Sequence, residues 1–360
     1  MRVAGIMSGT SLDGIDVAIV EISGKEIRTV THRTTPYSQG IRARILKAAN
    51  PADISRLNFE LGKLYAKAVL ATGEKVDLIG CHGQTVYHEG NGPRPNTLQI
   101  GEASVMAERV GVPVVSDFRT RDIAAGGKGA PLVPFVDYLL FADKQLDRVA
   151  LNIGGIANIT ILPRNVRPES VIAFDTGPGN MVIDQLVERM TSLATSGANP
   201  GAKRFDRDGA IAARGHVNAP LLATLLRDRY YRKSPPKTAG REEYGAVFVD
   251  RLMDTGLPIE DLIATATALT AATIAAGIPA STRQLIAAGG GVHNRQLMAQ
   301  LAAFLPACRV STTAEFDIDP DAKEAIAFAI LAYRTWKHRT GNLPSATGAR
   351  RAVILGKITI

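Results

Sequence analysis

The sequence is short of several things, and each shortage removes a class of explanation. It has two cysteines in 360 residues, Cys81 and Cys308. That count excludes a disulfide framework, and no metal-ligand spacing exists. Both thiols end apolar runs, as buried free cysteines usually do, and the chain reads as a protein of a reducing cytosol. Aromatic residues make up 5% and tryptophan occurs once. No nucleic-acid motif accompanies the net charge of +8, so no nucleic-acid partner is expected. The charge reads as solvated surface, or as a bias toward anionic substrates. No apolar run approaches the roughly 18 to 20 residues of a membrane span. The opening MRVAGIMSGTS has too short an apolar stretch for a secretory signal. A cytoplasmic protein with no membrane partner is expected. A Walker A loop is also missing, because no Gly-Lys-Ser/Thr closes any glycine loop.

What is present is enough for a large core. The chain is 46% hydrophobic and 21% charged, and its length suits two domains or one large one. Val3–Met7 reads as a strand, 8–14 as a loop, and Ile15–Ile22 as an alternating strand with Ile15, Val17 and Ile19 on one face. A third, weaker strand is expected at Ile27–Arg33, then a helix over Ile54–Thr72. Strands at Val76–Gly80, Leu98–Ile100 and Val112–Ser116 surround a helix at Glu102–Val110. A second start follows at Arg148, where Val149–Ile153, a turn at Gly154–Asn158 and Ile159–Leu162 repeat the strand–loop–strand plan. Helices are expected at Met181–Ser192, Val217–Arg227, Asp261–Ala276, Arg295–Phe304 and Asp321–Lys337, and strands at Val171–Phe174, Leu285–Ala288 and Ala352–Ile360. Alternating strands and helices mean an α/β fold. The glycines of AAGGKGAPLVP, Ala124–Pro134, read as a hinge or active-site loop; 196–202 and 234–240 read as loops.

Several motifs sit where α/β sheets build sites. GTSLDGID runs from Gly9 through Thr10, Ser11, Leu12, Asp13, Gly14 and Ile15 to Asp16. Its glycines, hydroxyls and exposed amides suit phosphate oxygens, and Asp13 offers a hard oxygen to Mg²⁺. Read alone it is also an ordinary Ser/Gly turn. NIGGIAN, with Gly154 and Gly155, is the matching loop of the second half. GGGVHN, with Gly289, Gly290 and Gly291, has the wrong spacing for a dinucleotide fingerprint and reads as backbone packed against adenine or ribose. DTGPGN places Asp175 at a strand end, as a base, a metal ligand or a helix cap. HGQT contributes His82 and Gln84. DFRTRD contributes Arg119 and Arg121, which suit an anion or pair with Asp117 and Asp122. FDRDG lacks the later ligands of a calcium loop and reads as a plain turn.

Taken in order, the pieces MSGTSLDGID, CHGQTV, QIGEAS, DFRTRDIAAGGKGAPLVP, LNIGGIANIT, FDTGPGN, FDRDGA, PKTAGRE, AAGGGVHN and the helix around Glu324 make nearly the whole chain closely resemble the anhydro-N-acetylmuramic acid kinases. One departure is Lys128, where many members are expected to carry Gln. The resemblance implies a sugar kinase/Hsp70/actin-like fold: two ribonuclease-H-like domains around a central cleft. It places the first domain at 1–125 plus 345–360 and the second at 126–344, and allows a homodimer. It implies an enzyme that uses ATP and Mg²⁺ to turn 1,6-anhydro-N-acetylmuramic acid into N-acetylmuramic acid 6-phosphate during peptidoglycan recycling. Gly9 to Asp16 would bind ATP with the later glycine loops, and Asp175 would be the catalytic base. His82, Gln84, Arg121 and Glu324 would meet the sugar, Arg121 at its lactyl carboxylate. The alternatives are another sugar kinase of the same fold, a non-enzymatic ATPase switch, or a hydrolase working without ATP through Asp175 and Glu324.

Overall fold

The structure is a computed structural model. It describes residues 1–9, 12, 14–24, 26–194 and 205–360. Thr10, Ser11 and Asp13 of the first glycine loop, and the expected loop at 196–202, lie outside the described residues.

The chain forms two compact units. One comprises Met1–Leu140, Pro168–Ser170 and Phe316–Ile360; the other comprises Phe141–Arg167 and Val171–Glu315. These limits differ from the expected boundaries at 125 and 344. The helix Val133–Phe141, up to Leu140, and the helix Lys323–Trp336 belong to the first unit. A buried ion pair, Lys323 Nζ to Asp137 Oδ1 at 2.9 Å, and Arg334 over the Phe135 ring tie those two helices together.

The first unit is built on a seven-stranded sheet. Its strands are β1 (Arg2–Ser8), β2 (Gly14–Ser23), β3 (Glu26–Pro36), β4 (Leu78–Glu89), β5 (Asn96–Ile100) and β6 (Val114–Ser116), with a C-terminal strand Lys357–Thr359. β1, β2 and β3 form an antiparallel meander; β4 lies parallel to β1, and β6 parallel to β4. The C-terminal strand pairs antiparallel with β6 over three residues only, shorter than the Ala352–Ile360 reading. The helix Pro51–Leu70 starts correctly for its sequence: Asn50 caps it by accepting from Asp53 N, and Pro51 occupies the first turn. Leu57, Leu61, Tyr65 and Val69 recur about every four residues, so one stripe is buried.

Glycine sets the distance between the sheet and the helix Lys323–Trp336. Gly5 on β1 and Gly80 on β4 are register partners. A Cβ at Gly5 would collide with the carbonyl of Ala325, and one at Gly80 with that of Phe328. Bare backbone at both positions lets this Ala-rich helix lie directly on the two central strands, with Ala325, Ile326, Ala329 and Ile330 buried.

The second unit repeats the plan. Its strands are β7 (Arg148–Ile153), β8 (Ile156–Leu162), β9 (Ile172–Pro178), β10 (Gln284–Ala288) and β11 (Arg309–Thr312), in the order β11-β10-β7-β8-β9. β7, β8 and β9 are an antiparallel meander, while β10 is parallel to β7 and β11 to β10. Three antiparallel strands followed by parallel ones, seen in both units, is the ribonuclease-H-like arrangement. The repeat legible at residues 1–22 and 148–162 is therefore a repeat of topology.

The helix Ile259–Gly277 corrects one expectation. By length and composition it is apolar enough to cross a membrane. Here 67% of its apolar window is buried within the protein, against β9 and the helices Asn180–Ala194 and Arg295–Phe304. Its threonines are buried without orphaned hydroxyls: Thr265 and Thr267 donate to the carbonyls of Asp261 and Ile263 one turn back, and Thr270 donates to Gly179 O.

Candidate active site

In the first unit, the glycine loop leaves β1 and enters β2. Leu12 holds a left-handed backbone, φ 59°, and its amide donates to Gly9 O at 3.2 Å. A leucine tolerates that conformation only when its surroundings enforce it. The Leu12 side chain is buried in the core, and so is that of Ile15. Both residues therefore offer a ligand backbone and no side chain. The loop is also held from beneath. Ser8 Oγ donates to Gln84 Oε1 at 2.6 Å, and Gln84 Nε2 donates to Gly9 O and Thr85 O at 3.3 Å each. Ser8 meets the Tyr37 hydroxyl at 2.8 Å, which meets Tyr65 at 3.2 Å. Gln84 is fully occupied with this anchoring and is 1% exposed, which gives it a supporting position where sugar contact was expected.

HGQT lies inside β4, not after a strand as the sequence suggested. His82 is buried with its tautomer assigned by its partners. Arg119 Nε donates to Nε2 at 3.0 Å, so the proton sits on Nδ1, which donates to Gly83 O at 2.7 Å. Its ring packs on Phe328 with centroids 4.6 Å apart. Burial, and then the Arg119 charge, push its pKa well below the usual histidine range, and the ring is neutral. Arg119 also donates through Nη1 to Gly129 O at 2.8 Å. Burial lowers its pKa to about 10, against the opposing pull of Glu324 and Asp122. Nη2 makes no hydrogen bond among the described residues.

Glu324 stands in the first turn of the helix Lys323–Trp336, where the helix dipole favours a carboxylate. Burial raises its pKa and the neighbouring Asp16 charge adds to that; Lys323 and Arg119 oppose it. Asp16 accepts from Thr34 Oγ1 at 2.5 Å and lies 3.8 Å from His32 Nε2. Thus β2, β4, the segment after β6 and the last long helix bring Asp16, His82, Arg119 and Glu324 into one electrostatic neighbourhood. Arg121 is not part of it. It is exposed on the short helix Thr120–Ala124, which turns its side chain away while Arg119 stays at the helix start. Asp122 is structural: fully buried, it accepts from Asn342, Thr347 and Gly129 N at 2.6 to 2.8 Å, tying the AAGGKGAP segment to residues 342–347.

In the second unit, three glycine-bearing segments converge. The turn between β7 and β8 is Gly154–Gly155. Their carbonyls accept from Asn180 N, Gly179 N and Met181 N at 2.8 to 3.1 Å, capping the start of the helix Asn180–Ala194. Gly155 is exposed and Gly154 partly so. Gly289 has φ 84°, and a Cβ there would press on Ile153 O. A Cβ at Gly291 would overlap the Ile153 side chain and approach Asn180. GGGVHN therefore folds against the β7–β8 turn because its glycines permit it. Asn294 caps the helix Arg295–Phe304 through Leu297 N, and Gly209 of FDRDG packs on Asn294. FDRDG is a turn, as read: Asp206 accepts from Ile211 N and Ala212 N at 2.7 and 2.9 Å.

Asp175 lies on β9 opposite Asn158 of β8, beside a register shift between Ala157 and Asn158. One carboxylate oxygen, Oδ2, accepts from Ala239 N at 2.9 Å; Oδ1 has no hydrogen-bond partner among the described residues. Burial raises the pKa to about 6, the Ala239 amide opposes the rise, and Glu243 adds to it. Asp175 is therefore not the helix cap that DTGPGN allowed. It is an oriented carboxylate with a raised pKa and one free oxygen, the properties of a general base near neutral pH. Sequence reasoning missed the residues that hold it: Ala239, Lys237 and Tyr230. PKTAGRE, quoted among the matching pieces without a role, and the loop reading at 234–240 covered Lys237 and Ala239; Tyr230 lies outside both.

A family model for anhydro-N-acetylmuramic acid kinase matches residues 1–360. The anhydro-N-acetylmuramic acid kinase of Thiobacillus denitrificans is 45% identical over 372 residues, covering 98% of this chain and 96% of that protein. That of Caldanaerobacter subterraneus subsp. tengcongensis is 43% identical over 390 residues, covering 99% and 96%. Among solved structures, the activator of the 2-hydroxyisocaproyl-CoA dehydratase from Clostridium difficile with bound ADPNP is 15% identical, covering 94% of this chain and 96% of that one with a TM-score of 0.46. The full-length match to the family and its curated members makes this chain a member of the anhydro-N-acetylmuramic acid kinase family, a phosphotransferase with an alcohol group as acceptor.

Proposed function

We propose that the enzyme uses ATP and water to convert 1,6-anhydro-N-acetylmuramic acid into N-acetylmuramic acid 6-phosphate and ADP, in the cytosolic recycling of cell-wall sugar. The observation that carries this reading is Asp175, with Oδ2 held by Ala239 N–H, Oδ1 free, and a pKa of about 6. An anhydro sugar has no free 6-hydroxyl, so a kinase acting on it needs a base for water. Water attacks the anomeric carbon while Asp175 takes its proton. The C1–O6 bond breaks, and O6 forms a bond to the γ-phosphorus as ADP leaves. The departing O6 ends on phosphorus, so no separate general acid is needed.

The loop Gly9–Asp16 and the turns at Gly154–Gly155 and Gly289–Gly291 would each offer backbone amides to phosphate oxygens, where most of the catalysis of phosphoryl transfer lies. Asp13 would hold Mg²⁺, with the Asp16 carboxylate at the start of β2 as a further hard oxygen donor. Mg²⁺ would neutralise charge on the phosphates. The free Nη2 of Arg119 makes it, in place of Arg121, the residue for the lactyl carboxylate. His82 fixes the angle of that guanidinium, and Glu324 serves the sugar hydroxyls.

The test is a coupled ADP-release assay. ADP should appear only when both the anhydro sugar and Mg-ATP are present, and EDTA should abolish its release. Product formed at full rate without nucleotide, or ADP release indifferent to the sugar, would overturn the reading.

A further inference from the structure

The segment from Tyr230 to Glu243 makes three contacts with one residue of β9. Asp175 N donates to Lys237 O at 3.1 Å, the Tyr230 hydroxyl donates to Asp175 O at 2.7 Å, and Ala239 N donates to Asp175 Oδ2 at 2.9 Å. The backbone of Asp175 is thereby gripped on both sides, and its carboxylate is turned by a main-chain amide. That amide sits in a short loop with no secondary structure between Lys237 and Gly240, so something must hold the loop still.

Each end of the loop has a side-chain closure. At one end Lys237 Nζ lies 3.4 Å from Tyr230 O and 3.3 Å from Tyr231 O, over the faces of Tyr230 and Phe174 at 5.0 and 5.5 Å. Among the described residues no carboxylate pairs with it. The ammonium is spent on two carbonyls six and seven residues back, which closes the segment on itself. At the other end Glu243 Oε2 accepts from Gly240 N at 2.8 Å, where the short helix Arg241–Tyr244 begins. Tyr231, Tyr244 and Phe248 form the packed base beneath, with Tyr244 donating to the Tyr231 hydroxyl at 3.1 Å.

We propose that Lys237 and Glu243 are positioning residues for Asp175, acting through the loop Lys237–Gly240 that they close at its two ends. This rests on Asp175 being the base. The charged and titratable groups around Asp175 are few. Glu243 and Tyr230 come from the segment itself, with the Lys237 ammonium turned toward the tyrosine carbonyls. β8 contributes Asn158, and the helix Ile259–Gly277, packed on β9, presents alanine and threonine. Glu243 does two things: it anchors Gly240, and its charge raises the proton affinity of Asp175.

The two closures predict different signatures. In Lys237→Met the loop loosens and the Ala239 contact weakens. That contact favours the ionised carboxylate, so the acid limb of the kcat–pH profile moves to higher pH. kcat should fall at least tenfold at pH 7, with KM for ATP and sugar within twofold, and Lys237→Arg should recover at least half of the activity. Glu243→Gln keeps an acceptor for Gly240 N and removes the charge, so the acid limb moves to lower pH. The experiment measures kcat, KM and pH profiles of the full-length wild type, K237M, K237R, E243Q and Asp175→Asn, with thermal midpoints to confirm folding. Should K237M fail to fold, K237R and E243Q carry the test. Wild-type kcat and an unmoved limb in both K237M and E243Q, beside an inactive Asp175→Asn, would overturn this proposal alone. A loss in K237M without a limb shift or rescue by Arg would reduce Lys237 to a structural role and overturn it too. Turnover retained in Asp175→Asn would instead remove the base on which it rests.

Discussion

At the residue scale, Asp175 couples activity to stability, and the two effects have opposite signs. A carboxyl whose folded pKa lies near 6, above its ordinary value, binds its proton more tightly in the folded state. The resulting stabilisation is fully present below the unfolded value and is lost as pH rises through about 6. With Asp175 as the proposed base, catalysis would need the ionised form, so kcat should climb through about pH 6 to a plateau while the buried charge destabilises the fold over the same range. Asp175→Asn removes the buried charge and still offers an oxygen to Ala239 N. Turnover should fall by several orders of magnitude. Stability at pH 8 should rise by about 1–2 kcal/mol after discounting for partial exposure, with little change near pH 4. Steady-state kinetics and denaturant unfolding at the two pH values check both halves. An active, unstabilised variant would contradict the assignment.

At the element scale, the helix Lys323–Trp336 brings Glu324 to the first unit's site, and its height over the sheet is set by Gly5 and Gly80. A methyl group at Gly80 meets backbone that cannot yield without moving the helix. Gly80→Ala should cost about 2–4 kcal/mol in urea or guanidinium unfolding and reduce activity by displacing Glu324. A variant within about 0.5 kcal/mol of the wild type would show that the helix shifts freely and that the close approach is not required. In the second unit Gly177 of β9 and Gly215 likewise lie close to the helix Ile259–Gly277, at Thr273 and the Glu260 carbonyl. There, threonines that bond back to their own helix are buried with their hydroxyls satisfied.

At the scale of the whole molecule, much was legible in the sequence, for identifiable reasons. Alternation at Ile15, Val17 and Ile19, and its echo after Arg148, exposed two starts, and both units have the same strand plan. Period-four spacing in Ile54–Thr72 located a helix to within a few residues. Where local pattern and tertiary placement diverge, the reading and the structure differ. Arg119 and Arg121 look equivalent in DFRTRD, yet a five-residue helix turns one inward and the other to solvent. Gln84, placed at the sugar by the resemblance, binds Gly9 O, 75 residues away in sequence. The helix Gln39–Lys47 was absent from the reading, since its pattern Gln-Gly-Ile-Arg-Ala-Arg buries only Ile45. The unit limits moved because Asp137 and Lys323, 186 positions apart, form a buried pair that no window of sequence reveals.

The central claim is that one turnover breaks C1–O6 with water and makes O6–phosphorus, and oxygen isotope labelling reads this directly. The reaction is run with Mg-ATP and 1,6-anhydro-N-acetylmuramic acid in ¹⁸O-water, quenched quickly and resolved by mass. The account predicts a sugar phosphate carrying one ¹⁸O at the anomeric hydroxyl and none on its phosphoryl group, formed in step with ADP. Label in free inorganic phosphate without labelled sugar phosphate, or labelled sugar formed without ADP, would contradict it.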